Sequence, residues 1–180
     1  MTAARASLIL CAAVSAACGP AQSEDVFATF KSMCIDTQAD QDQAMAAADK
    51  AGWLPMPQSL AEDFLLKTYK GTGKGRARTT SERVYLLKTA NGVLPTQPGG
   101  HGPMCSLGMS GGSVEFDKQA EAFAAVPKHG KGIYLWREEN GAHIAVNEGD
   151  TLKAEPLHFL FSSHSATSSL LMYGIVSSQD

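Results

Sequence analysis

The chain has 180 residues and a formal net charge of −3 with histidine neutral. A weakly acidic chain presents no broad positive field, which argues against nucleic acid as its main partner. Beyond the N-terminus no apolar run is long enough to cross a bilayer as a helix, and the remaining length suits one ordinary domain that buries its own core.

Residues 1–21 read as an export signal. Arg5 supplies the positive start, residues 8–14 (LILCAAV) the short apolar centre, and Ser15, Ala16 and Ala17 the small side chains near a cut. The run Val14, Ser15, Ala16, Ala17, Cys18, Gly19 resembles the bacterial lipoprotein signal, although serine stands at position 15 where leucine is usual. That resemblance implies acylation of Cys18 and, because Gly19 rather than aspartate follows it, the outer membrane. Cleavage after Ala21 is the other open route and would discard Cys18. We take the lipid anchor as the expectation, with residues 22–180 forming a single domain.

Four cysteines are present. Cys11 leaves with the signal, and Cys18 is either acylated or removed. Cys34 and Cys105 then remain in an oxidising compartment, where such a pair is expected to be bonded. The bond would contribute on the order of 4 kcal/mol by limiting the unfolded chain. A catalytic redox couple would instead have the short C-x-x-C spacing.

Taken in order, Glu24 and Asp25 suit the start of a first helix, on which Phe27, Phe30 and Cys34 share one apolar face. Asp40 and Gln43 look like a capping box for a second helix that Gly52 ends. Residues 55–57 (PMP) form an extended link, and Ser59 with Glu62 opens a third helix carrying Leu60 and Phe64. Residues 71–75 (GTGKG) read as a flexible loop; they lack the phosphate-loop spacing. A strand follows at residues 83–87, with Asn91 and Gly92 as a turn and residues 95–103 as a proline- and glycine-rich loop. Cys105 lies on the next strand, and Ser113 caps a fourth helix with Phe116 and Phe123. Residues 132–136 and 142–146 make a hairpin about Asn140 and Gly141. Residues 156–161 and 170–176 make another across the serine-rich residues 162–169, and apolar residues on both sides of the last strand place it centrally. The expected architecture is α+β: N-terminal helices packed on a largely antiparallel sheet, with one disulfide.

The sharpest chemical motif is Gly108, Met109, Ser110, Gly111, Gly112, which fits the G-x-S-x-G nucleophile turn. Asp150 with His158 or His164 would complete the Ser-Asp-His order. The region before the motif lacks the repeated strand–helix units of such hydrolases, so a plain loop is the competing reading. Lys67, Lys70, Lys74, Arg76, Arg78, Arg83 and Lys88 form the one basic region, either a solvated face or a contact for an anionic surface. The five histidines are scattered, and no ligand set for a metal is expected. Trp53, Tyr134 and Trp136 are expected in the core. No cofactor motif is present.

The strings around Cys34 (residues 30–34, FKSMC) and Trp53 (residues 48–53, ADKAGW), the Cys105 strand and the closing LLMY strand resemble a group of small exported Gram-negative proteins, some lipid-anchored. The resemblance implies export and a shared fold, and supplies no activity. The expectation is a non-catalytic periplasmic or outer-membrane-anchored domain that binds an envelope component or protein. The alternative is a small serine hydrolase built on Ser110.

Overall fold

The computed structural model describes residues 25–57, 70–93, 100–111, 116–147 and 156–178. Helix α1 (Val26–Phe30) begins where the Asp25 carboxylate accepts the Ala28 amide at 3.0 Å. The cap satisfies one of the amides that a helix start leaves without an internal partner. The chain then widens into a π-helical turn, Lys31–Ile35, which buries Met33, Cys34 and Ile35. Helix α2 (Gln41–Lys50) starts the same way, with Asp40 accepting the Gln43 amide at 2.8 Å. Gly52, at φ +78°, takes the left-handed conformation that closes it.

The strands follow as β1 (Leu54–Pro55), β2 (Lys70–Thr79), β3 (Val84–Val93), β4 (Gly100–Ser110), β5 (Lys128–His129), β6 (Ile133–Glu139), β7 (Ala142–Ala145), β8 (Leu157–His164) and β9 (Ser168–Ser178). Helix α3 (Asp117–Ala124) falls between β4 and β5. All join one antiparallel sheet in the order β1-β2-β3-β4-β9-β8-β6-β5, with β7 beside β6. The closing strand β9 is thus central, between β4 and β8. The fold is a single α+β domain.

Alternation along the strands separates two faces. Tyr85, Leu87, Cys105, Leu107, Met109, Leu171, Tyr173, Leu160, Tyr134 and Trp136 share one face by register and are all buried. The helices cover this side. Cys34 reaches Cys105 through a disulfide with Cα atoms 5.3 Å apart, tying the π turn to the middle of β4. Helix α3 adds Phe123, whose ring meets Trp136 edge-on at 6.1 Å. Trp53 packs beside Tyr85 at 6.1 Å. The opposite face carries Leu54, Val84, Leu86, Ile133 and Ile144, the exposed large apolar residues of the sheet.

Four local expectations give way to longer strands. Residues 71–75 are not a loop: they lie inside β2, paired residue for residue with β3 from Lys70 opposite Val93 to Thr79 opposite Val84. Ladder pairing and the acids of α2 hold them, and neither is visible in a local glycine pattern. Asn91 and Gly92 do not turn; they stay in β3, opposite Thr72 and Gly71, and neither has the positive φ that a tight hairpin turn requires. Asn140 and Gly141 do, at φ +50° and +77°, and there the chain reverses as expected. The serine-rich segment is a hairpin, but its ladder continues to His164 opposite Ser169, leaving only residues 165–167 for the tip. Residues 100–103 likewise belong to β4. The expected third helix around Ser59 and the Ser113 cap lie outside the described residues.

Candidate functional site

On the face away from the helices, one row of the ladder runs Leu86, Gly108, Leu170, Ser163 across β3, β4, β9 and β8. Gly108 supplies no side chain between two leucines, so the row has a notch. A Cβ built there would meet only the Leu86 carbonyl oxygen, at 3.9 Å. Gly174, on the same face of β9, differs: its missing Cβ would lie 2.5 Å from the Phe159 ring, which fills that place. One glycine is covered and the other is open.

The open one is the floor of a groove of about 470 Å³. Leu86 and Leu170 flank it, Lys88 and Ser106 close one end, and Ser110, Ser163, His164 and Ser168 stand at the other. The size falls within the usual range for small-ligand sites, which are mostly apolar with a few placed polar groups. The side chains of Ser110 and Ser163 are exposed and make no hydrogen bond among the described residues. Ser106 instead donates to the Lys88 carbonyl at 3.4 Å. Ser165 closes the hairpin tip by accepting the Ser168 amide at 3.1 Å.

Ser110 is the last residue of a regular strand, opposite Val84 on one side and Ser168 on the other. Its φ is not positive, unlike that of Gly111 after it at +103°. The strained strand-to-helix turn of a hydrolase nucleophile is therefore not formed at this serine. By register His164 falls in the row of Tyr85, Met109 and Ser169 on the helix-covered face, where it helps lower the Asp117 carboxyl, and it only borders the groove. His158 does not: it pairs with Ile175, seven residues along β9 from the Ser168 that faces Ser110. That separation is about 23 Å along the strand, and the two side chains point to opposite faces. Asp150 lies outside the described residues.

His158 belongs to a second constellation, on the helix-covered side. Trp136 stacks on His143 at 4.9 Å, on His158 at 5.6 Å and on Tyr173 at 6.1 Å, all within 25° of parallel. The His158 Nδ1 and Tyr173 hydroxyl lie 2.9 Å apart, and His143 Nδ1 donates to the Ala124 carbonyl at 2.9 Å. Burial pushes the His158 pKa down; Glu138 opposes this and His143 adds to it. Burial also pushes the Tyr173 hydroxyl well up. A neutral imidazole and a neutral phenol are therefore favoured here, and they complete the core by satisfying each other. Sequence reading placed Trp136 and Tyr134 in the core correctly, but offered His158 as a catalytic base.

Among the basic residues, Lys74 reaches Asp42 at 2.6 Å, and Arg76 holds Asp49 through Nε at 2.6 Å and Nη2 at 3.0 Å. The Arg76 hydrogen bonds and charge draw the Asp49 carboxyl below its ordinary range. These two cations fasten α2 over β2. Arg83 has its Nε buried without a hydrogen-bond partner among the described residues. Arg78 is engaged; Lys70 contributes its backbone to β2, and Lys67 and Cys18 lie outside the described residues. Among the described residues no three His, Cys, Asp or Glu side chains gather as a metal site, and no helix is long and apolar enough to cross a membrane.

What sequence reading missed is Gly108 as an absent side chain. Its position in the G-x-S-x-G string drew attention to Ser110, and only the register reveals the two leucines beside it. Compared with protein-family models, with curated proteins and with solved structures, the chain has no match.

Proposed function

We propose that the protein is a non-catalytic domain of the cell envelope, periplasmic or held at the outer membrane through Cys18. It binds an envelope component through the groove over Gly108. The observation that carries this reading is the groove itself: an apolar floor between Leu86 and Leu170, with the Ser110 and Ser163 hydroxyls on its rim. The buried Cys34–Cys105 bond supports a compartment outside the reducing cytoplasm. The likeness of the N-terminus to lipoprotein signals supports the anchor.

Ser110 at the open rim of this groove favours a second reading, a small serine hydrolase. A fluorophosphonate probe separates the two. The binding reading expects no label that Ser110→Ala abolishes, and Ser110-dependent labelling would replace it with hydrolysis. Intact mass of the protein taken from membranes tests the location. Acylated Cys18 with both remaining cysteines oxidised is expected, and an uncleaved chain with free thiols would contradict it.

A further inference from the structure

We infer that the free edge of β7 pairs with the same edge of a second copy of this chain, joining two sheets across a two-fold axis at Ile144. This concerns a different surface from the groove and does not depend on it. Among the described residues β7 (Ala142–Ala145) pairs only with β6. Val146 donates its amide to the Leu135 carbonyl at 3.1 Å, which fixes the phase of that ladder. Alternation then turns the amides and carbonyls of Ala142 and Ile144 toward β6 and those of His143 and Ala145 outward. Ala142, Ile144 and Ala145 are exposed, so the edge is open along its length.

Sheet edges are usually blunted against pairing, by shortness, proline or lysine. The other outer edges here follow that rule. β1 is two residues long and contains Pro55, β5 is two residues long and contains Lys128, and β2 beyond β1 carries Lys74. β7 is longer and has no proline, lysine or carboxylate. It is also fixed in place without a partner. Asn140 and Gly141 close its turn at positive φ, Trp136 stacks on His143 at 4.9 Å, and the His143 ring bonds the Ala124 carbonyl at 2.9 Å. Just past its end, Val146 is buried with Leu157 and Val176. A strand already ordered loses little freedom on binding.

The edge is complementary to itself. With Ile144 opposite its copy, His143 of each chain faces Ala145 of the other, and the outward amides and carbonyls of both strands find partners. Ile144, 38% exposed, then meets the partner's Ile144 in a non-hydrogen-bonded pair, where side chains come closest. The charges beside it on that face, Arg137 and Glu139, are already paired with each other at 3.0 Å. The contact is small, so the dimer is weak and reversible.

Sedimentation velocity of the purified unlipidated domain over a rising concentration series is expected to show reversible dimerisation. Ala145→Pro removes an outward donor and sets a ring in the partner's path, and Ile144→Lys brings two like charges together on the axis. Each is expected to weaken dimerisation by about tenfold or more. The thermal midpoint of the monomer should hardly move, because neither change touches a bond to β6. Ile144→Cys is expected to form a disulfide-linked dimer under mild oxidation. Ala142→Cys is not, since the pairing holds that position about 14 Å from its copy. A protein that stays monomeric at every concentration, dimerisation that survives both Ala145→Pro and Ile144→Lys, or cross-linking at position 142 in preference to 144 would overturn the proposal. So would a dimer broken by Leu86→Glu and kept by Ala145→Pro, which would put the contact on the open face.

Discussion

The two faces of the sheet are built from the same strands and differ in what covers them. Toward the helices, Tyr85, Leu87, Cys105, Leu107, Met109, Leu160, Leu171, Tyr173, Tyr134 and Trp136 are all buried, and the space is filled by rings, leucines and a disulfide. On the other face Leu86 and Ile133 lie on regular strands of the same sheet but are 36% and 38% exposed. Leu86 and Leu87 are neighbours in sequence, yet one is at a groove wall and the other is wholly enclosed. The period-two alternation of a strand thus divides labour. One side carries the stability of the domain, and the other leaves room for a ligand.

That contrast breaks most sharply at the disulfide. Replacing Cys34 and Cys105 together by alanine should cost on the order of 4 kcal/mol, read as a lower urea midpoint, because the bond spans 71 residues of otherwise free chain. Leu107→Ala on the helix side should cost about 3 kcal/mol through loss of burial and a cavity. Leu86→Ala on the groove side should cost about 1 kcal/mol or less by the same urea titration, since that side chain keeps a third of its surface in water. Equal losses at the two leucines would remove the distinction between the faces.

Acid should also act through the helix side. The folded pKa of His158 lies below its ordinary value of 6.5, chiefly from burial, so the unfolded chain binds the proton more readily. Its contribution is therefore full above about 6.5 and is lost as pH falls from there through the folded value. Asp49 and Asp117, both lowered, lose theirs only further down, through the carboxylate range. Unfolding midpoints between pH 8 and 5 should decline in the native protein and flatten in His158→Gln, which can still bond to Tyr173. The smallest effect is expected for Arg76→Ala. The pair with Asp49 is partly exposed, and its removal should shift the midpoint by well under 1 kcal/mol and less still in high salt.

Much of the fold was legible because its signals are local or exclusive. Asp25 and Asp40 announce helix starts, Asn140 and Gly141 a tight turn, and the two cysteines left after the signal have only each other. The apolar residues on both sides of β9 gave its central place. The glycine run in β2 misled because a strand held by its neighbours and by Asp42 and Asp49 needs no propensity of its own. The candidate site was half legible. Ser110, named from a motif, lies at the groove, while His164 belongs by register to the helix-covered row and His158 is buried in the core. The notch could not be read at all, because it depends on which residues stand beside Gly108 in two other strands.

Chemical-shift mapping of the domain during titration with a soluble envelope extract tests the division between the faces most directly. The account predicts perturbed signals at Leu86, Gly108, Ser110, Ser163 and Leu170, with Leu107, Leu171 and the Trp136 indole unmoved. Shifts concentrated on the helix-covered residues, or none anywhere on the open face, would contradict it.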